Sequence, residues 1–390
     1  MNYHYDQFFM QRAIDLAKFG RGDVEPNPMV GCLIVRPDLH DASGMVDIVQ
    51  DPLPQVVGKG YHQKYGEAHA EVNALREAGE LARGGTLYVT LEPCCHTGKT
   101  PPCCKAILEA GIKRVVVGMT DPNPVVHGNG LEILRQEGIE VEIGVLAEQV
   151  ATLYAPYITR LTKKRPWIIG KWAMTLDGKM ATKTGSSYWI SNEKSRQRLH
   201  YLRSYMDAIM IGSRTAMEDD PKLTVRLPEG ETPHRTPVRI VFDSGGTLSV
   251  FSELALSARD VPLLLIFGPN TPPEKVRFWE GKGAEVLVLE YPTHEQRLIT
   301  LMETLAERGM TNVLIEGGGK LLGHLFDLEY LDEVHVFVAP KIVGGDKAVV
   351  PVGGIGRELM KSATDLINRE VETIGTDILI SGRLDYTKRK

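Results

Sequence analysis

Four of the five cysteines in this 390-residue chain are Cys94, Cys95, Cys103 and Cys104, within Leu91-Glu-Pro-Cys94-Cys95-His96-Thr-Gly-Lys-Thr-Pro-Pro-Cys103-Cys104. His69-Ala70-Glu71 stands upstream. An imidazole and two thiolates suit zinc, and three protein ligands leave a fourth position for water. A carboxylate that stays off the metal can then move protons. His-x-Glu followed by Pro-Cys is the order that zinc-dependent hydrolytic deamination of an aminated ring requires. His69 is therefore the expected imidazole ligand and Glu71 the expected proton carrier. Spacing alone leaves open which two cysteines ligate. The competing arrangement is a closed knot of Cys94, Cys95, Cys103 and His96. It leaves Glu71 without a task and asks adjacent cysteines, whose side chains point apart, to share one ion.

The stretch between Cys94 and Cys103 is longer than the two residues of a nucleobase-deaminase Pro-Cys-x-x-Cys, and its Gly and Pro residues make it a loop. His-Ala-Glu followed by Leu-Glu-Pro-Cys-x-His-x-Gly-Lys-Thr-Pro-Pro-Cys resembles the deaminase half of the bifunctional riboflavin-biosynthesis deaminase/reductase family. The resemblance implies Cys94 and Cys103 as the ligands beside His69. Pro26-Asn27-Pro28 and Gly58-Lys-Gly60-Tyr-His62 match the same family, which makes Asn27 and His62 candidates to contact a pyrimidine. Asp121-Pro-Asn123-Pro also matches, with no role beyond shaping a loop.

A second chemistry is written in Asn312-Val-Leu-Ile-Glu316-Gly317-Gly318-Gly319-Lys320, a strand, a glycine loop and a helix start. Bare amides there can approach a phosphate. The dinucleotide fingerprint Gly-x-Gly-x-x-Gly is absent, and His96-Thr-Gly98-Lys99-Thr100 is no Walker loop, since Pro93 stands where its first glycine would be. From Pro166 onward the chain is similar to the reductase half of the same family, which has a dihydrofolate-reductase-like fold. The carrying residues include Lys171-Trp-Ala173-Met-Thr-Leu-Asp177-Gly, Gly185-Ser-Ser187-Tyr-Trp189, His200-Tyr-Leu-Arg203, Gly212-Ser-Arg-Thr215, Asp219-Asp220-Pro221-x-Leu223-Thr-Val-Arg226 and Glu316-Gly-Gly-Gly. The resemblance implies NADPH as hydride donor, lined by Ala173, Trp189, Thr215, Asp219, Ser244, Gly318 and Gly319. It implies substrate contacts at Ser187, Arg203, Leu223, Arg226 and Glu316. Arg203 and Arg226 offer planar forks suited to a phosphate, and Lys171 could polarise a carbonyl or pair with Glu316. Read without the family, Trp189 is core, Arg203 a surface ion pair and Asp219 a cap before Pro221.

The elements that must position these groups alternate. Helical periodicity runs over Asp6–Phe19, His69–Glu77, Cys103–Glu109 and Gly130–Glu137, with strands at Met29–Arg36, Val56–His62, Thr86–Leu91, Lys113–Met119 and Glu140–Val145. This order predicts a mixed sheet with helices packed on it. Pro37–Gln55 reads as a long solvated loop or an assembly contact, with a lid near the deaminase site as the alternative. Gln149–Arg165 reads as a helical connector. A second alternation follows, closing in strands at Asp332–Ala339 and Asp377–Asp385 that predict an antiparallel edge. The expected organisation is α/β throughout. A cytidine-deaminase-like α/β/α domain covers 1–148 and a connector 149–165, followed by a dihydrofolate-reductase-like α/β domain at 166–390.

Bulk composition fits an enzyme with ordinary cores: 43% hydrophobic and 24% charged residues. A net charge of −5 argues against nucleic acid as partner. No apolar run is long enough for a membrane span, and the N-terminus lacks the basic head and apolar segment of a signal peptide. Clustered cysteines without export suggest the cytoplasm. The expected partner is a phosphorylated aminopyrimidine, with zinc and NADPH as cofactors and a homo-oligomeric state. A nucleic-acid deaminase and a non-catalytic zinc module are the alternatives. The first needs a basic groove, and the second leaves Glu71 dispensable.

Overall fold

The computed structural model describes residues 3–40 and 53–387. The chain forms two compact units, Met1–Lys163 and Lys164–Lys390.

The first unit contains α1 (Tyr3–Ala17), β1 (Gly31–His40), β2 (Pro54–Tyr61), α2 (Ala70–Ala78), β3 (Thr86–Leu91), α3 (Cys103–Glu109), β4 (Arg114–Met119), α4 (Asn129–Gln136), β5 (Glu140–Ile143), α5 (Ala147–Leu153) and α6 (Ala155–Lys163). Its sheet has the order β2-β1-β3-β4-β5. β1 is antiparallel to β2 and β3, while β3, β4 and β5 are parallel. Every residue of the central β3 is buried, as a strand covered on both faces requires. Asp6 of α1 is tied to Arg114 of β4 and accepts from the Tyr88 hydroxyl of β3, which fixes α1 across the sheet.

Two glycines bring α2 onto β2. A Cβ at Gly58 would lie 2.3 Å from the Ala74 carbonyl oxygen, and one at Gly60 would lie 2.4 Å from that of Ala70. Only a missing side chain permits this approach, and it sets the height of His69 and Glu71 over the sheet.

Two expectations are corrected here. Strand pairing continues into the expected Pro37–Gln55 loop, with Arg36 opposite Gln55 and His40 opposite Pro54. The rest of that segment, 41–52, lies outside the described residues, and so does the lid reading. The expected connector is no tether: Val150, Tyr154 and Tyr157 are buried in the first unit's core. Their apolar surface closes the sheet face that also carries Phe9 and Tyr88.

The second unit contains β6 (Trp167–Thr175), α7 (Glu193–Ser204), β7 (Ala208–Gly212), α8 (Ser213–Asp219), β8 (Val238–Phe242), α9 (Glu253–Leu256), β9 (Leu263–Phe267), α10 (Pro273–Gly281), β10 (Glu285–Val288), α11 (His294–Glu307), β11 (Asn312–Glu316), α12 (Gly319–Asp327), β12 (Glu333–Ala339), β13 (Asp365–Ile374) and β14 (Asp377–Asp385). The sheet order is β10-β9-β8-β7-β11-β6-β12-β14-β13. It is parallel from β10 to β12 and antiparallel at β14 and β13, the expected edge. Strand β11 inserts between β6 and β7, so the chain order reverses there. Crevices outside the carboxyl ends of strands at such a switch point collect ligands.

Candidate active sites

Local structure delivers each group of the first site. His69 precedes α2 as its N-cap residue and Glu71 lies in its first turn. Cys94 lies just beyond β3, and Cys103 opens α3 behind Pro102. The His69 Nδ1 is 3.3 Å from the Cys103 Sγ and 3.5 Å from the Cys94 Sγ. The Cys103 backbone N–H donates to the Cys94 Sγ at 3.4 Å. These three ligand atoms lie within 4.8 Å of one another, a set whose chemistry fits zinc. Donation from Cys103 and His69 holds the Cys94 thiol well below its ordinary range, which favours the thiolate a metal needs. Cys104 is buried in the core, with its Sγ toward the Pro93 and Gly130 carbonyls. Cys95 packs at the core edge, and His96 lies exposed on the cavity wall, so the closed knot is not formed.

Glu71 is buried, and burial together with the Cys94 charge pushes it up to about 7. A carboxyl so placed can both accept and release a proton. It lines a cavity of about 230 Å³ with His69 and Cys94. Asn27 and His62 share that wall. The His62 Nδ1 contacts the Ala68 carbonyl at 3.2 Å, and its Nε2 contacts the Asn27 Nδ2 at 3.2 Å. A proton on Nδ1 satisfies both contacts, so Nε2 accepts from Asn27, and burial lowers the His62 pKa in keeping with a neutral ring.

Several residues of this site escaped the sequence reading. Glu92, inside Leu-Glu-Pro-Cys, accepts from the backbone N–H groups of Asp121, Gly128 and Gly130 and so pins the 121–130 loop. Its position between two recognised residues was the available signal. Tyr157 of α6 reaches Asp121 from 36 residues away and left no local signal. Lys99, which also lines the cavity, has its ammonium 4.0 Å from the Tyr65 ring centroid.

In the second unit a cleft of about 1350 Å³ opens at the switch point. Lys171 and Glu316 are register partners on β6 and β11. The cleft is lined by Lys171, Ala173, Ser187, Trp189, Arg203, Thr215, Asp219, Leu223, Arg226, Glu316, Gly318 and Gly319. Trp189 is 62% exposed on this wall and is not core; the Arg196 guanidinium sits 4.3 Å over its ring. Ser244 is not part of the lining. It follows β8, its carbonyl accepts from Gly268, and its Oγ is buried without a hydrogen-bond partner. Gly318 has φ +82°, and a Cβ there would stand 3.2 Å from the Thr215 Oγ1. The glycine loop thus forms a bare cradle next to Thr215, which fits close approach of a nucleotide phosphate.

The expected role of Arg203 is corrected. Its Nε and Nη2 donate to the two Glu316 oxygens at 2.5 and 2.7 Å, and its Nη1 donates to the Thr224 carbonyl at 2.7 Å. The Nε/Nη2 fork that suited a phosphate is engaged by Glu316 in this structure. Of the two readings of Lys171, the pairing with Glu316 is not formed as a close ion pair among the described residues, where Glu316 is held by Arg203. Lys171 instead sits 5.3 Å from the Phe337 ring centroid, and burial lowers its pKa while Glu316 opposes the shift. Arg226 is exposed, and its Nη1 donates to the Thr224 Oγ1 at 2.8 Å.

A deaminase-type metal centre and a nucleotide-sized cleft at a parallel-sheet switch point, carried by one chain, define a two-domain enzyme combining zinc-dependent deamination with reduction. Residues 166–380 match the RibD C-terminal domain, and residues 4–119 match the cytidine and deoxycytidylate deaminase zinc-binding region. The riboflavin biosynthesis protein RibD of Aquifex aeolicus is 39% identical over 96% of this chain and 97% of its own length. That of Synechocystis is 40% identical over 97% and 96%. RibD of Acinetobacter baumannii superposes with a TM-score of 0.81 at 32% identity, covering 98% of this chain and 99% of that one. A diaminohydroxyphosphoribosylaminopyrimidine deaminase/5-amino-6-(5-phosphoribosylamino)uracil reductase of Thermotoga maritima superposes at 0.79 with 36% identity, covering 98% and 99%. The chain belongs to the RibD family, the bifunctional deaminase/reductases of riboflavin biosynthesis. Among the described residues, no helix is long and apolar enough to cross a membrane.

Proposed function

We propose that the first unit deaminates a diamino-ribosylamino-pyrimidinone 5′-phosphate and that the second reduces the ribosyl group of the product to a ribityl chain with NADPH. The observation that carries this reading is the pairing of the His69–Cys94–Cys103 centre, beside buried Glu71, with the glycine cradle at the switch point. His69, Cys94 and Cys103 hold the zinc. When bound, zinc supplies Lewis-acid chemistry and lowers the pKa of water at this site. The Glu71 carboxylate takes one proton from the attacking water and passes it to the ring nitrogen, then takes the remaining hydroxyl proton and passes it to the amino group, which leaves as ammonia. Asn27 and His62 orient the ring, and Lys99 supplies positive charge at the same wall.

In the cleft, Ala173, Trp189, Thr215, Asp219, Gly318 and Gly319 would hold NADPH, which would supply a hydride to the sugar C1′ as the bond from C1′ to the ring oxygen breaks and that oxygen takes up a proton. Ser187, Leu223 and Arg226 face the sugar phosphate, with Arg226 as its cation. Lys171 polarises the sugar oxygen, and Glu316, held by Arg203, fixes the sugar hydroxyls. The test is incubation of the purified protein with the aminopyrimidine ribotide, with and without NADPH. Ammonia release is expected in both mixtures and cofactor oxidation only with NADPH. Neither event on this substrate would reject the reading.

A further inference from the structure

We propose that Tyr157, on α6, is a positioning residue of the deaminase site: it holds the Asp121 carboxylate as the acceptor that reads the N–H groups of the ring. The inference rests on the aminopyrimidine reading above. Asp121, Asn123 and Tyr157 line the cavity that contains Glu71. The Tyr157 hydroxyl and the Asn123 backbone N–H donate to the Asp121 Oδ1 at 3.0 and 2.8 Å. The Oδ2 has only a 3.4 Å contact with the same hydroxyl. The Asp121 backbone is also fixed, its N–H donating to Glu92 and its carbonyl contacting the His127 Nδ1. One carboxylate oxygen is therefore pinned while the other keeps its acceptor capacity on the cavity wall.

An ionised carboxylate accepts and does not donate. On the same wall Asn27 directs its amide N–H toward His62, which leaves its carbonyl oxygen as a further acceptor. The free Asp121 oxygen and the Asn27 carbonyl oxygen suit a ring carrying amino groups and ring N–H, and they set acceptor against acceptor where a ring presents a carbonyl to them. Tyr157 lies beyond residues 4–119, the span matching the deaminase zinc-binding region, so a helix from farther along the chain completes this wall.

The experiment uses the full zinc-loaded chain and compares Tyr157→Phe, Asp121→Asn and the double variant. Steady-state deamination of the ribotide, zinc content, and reduction of separately supplied deaminated intermediate are measured. Tyr157→Phe is expected to raise KM about threefold to tenfold, and Asp121→Asn about tenfold or more, with kcat nearly unchanged and zinc content and reductase activity intact. The double variant should be no worse than Asp121→Asn alone, because Tyr157 acts through Asp121. Unchanged KM in Asp121→Asn, or additive losses in the double variant, overturns the proposal. Zinc loss in both single variants overturns it as well, since the pair would then be a support of the metal centre. A parent that deaminates no ribotide rejects the functional reading instead.

Discussion

The Arg203 guanidinium and the Glu316 carboxylate face each other through two parallel hydrogen bonds of 2.5 and 2.7 Å, joining α7 to the end of β11. Both side chains are 8% exposed. Burial alone would raise the Glu316 pKa; the charge and hydrogen bonds of Arg203, joined by the charges of Lys171 and His200, more than reverse it, and the net shift is downward. The acid at the mouth of the glycine loop is therefore ionised and oriented before any ligand arrives.

Arg203→Ala should act first on stability. Removing one partner of a buried pair leaves an uncompensated charge, a loss of about 3–5 kcal/mol. Differential scanning calorimetry should show the second unit melting earlier. Arg226→Ala should leave melting nearly unchanged and raise KM for the phosphorylated intermediate. An unchanged KM in Arg226→Ala would place the phosphate elsewhere.

Glu71→Gln should keep zinc and lose deamination by roughly two to four orders of magnitude, the scale of a general acid/base. Reduction of supplied intermediate should persist, because Glu71 and the cleft belong to different units. Cys94→Ser and Cys103→Ser should lose the metal, whereas Cys95→Ser should keep it. Metal analysis showing full occupancy in either ligand variant would refute the ligand set.

Gly318→Val should weaken NADPH binding by about tenfold or more, about 1.4 kcal/mol or above. Valine is strained at φ +82°, and its Cβ would press on the Thr215 Oγ1. Fluorescence titration of the cofactor checks this, with far-ultraviolet circular dichroism as the folding control. Parent-like affinity would reduce the glycine loop to a turn.

The Asp177 carboxylate is lowered to about 2, chiefly by the Thr175 hydroxyl and then by the Gly344 and Val343 backbone N–H groups. Its folded pKa lies below the ordinary 3.8, so its stabilisation is present above that value and is lost as pH falls toward 2. Asp177→Asn should flatten that acid limb of an unfolding curve. An identical acid limb in parent and variant would show that the Asp177 contacts with Thr175, Val343 and Gly344 do not contribute.

By itself the sequence determined the chemistry and most of the scaffold. His-x-Glu and the cysteine cluster are local signals, because metal ligands are rare residue types in fixed order. The helix at Cys103–Glu109 and the strands at Thr86–Leu91 and Asn312–Glu316 have the same bounds in the structure as in the reading. Their apolar periodicity is set by neighbours within a few residues. Strand Asp365–Ile374 was not legible: it is an exposed edge strand in which only Ile374 is fully buried, so it carries no alternating apolar pattern. What only the tertiary structure decided are pairings between distant groups of ordinary type. Arg203 could serve a phosphate or a carboxylate equally well, and Glu316 claimed it because α7 lies over the end of β11. Tyr157 looked like part of a connector, and packing against the first sheet carried its hydroxyl to Asp121. Sequence pattern reports which face of an element is apolar; which polar partner stands across from it depends on how the elements pack.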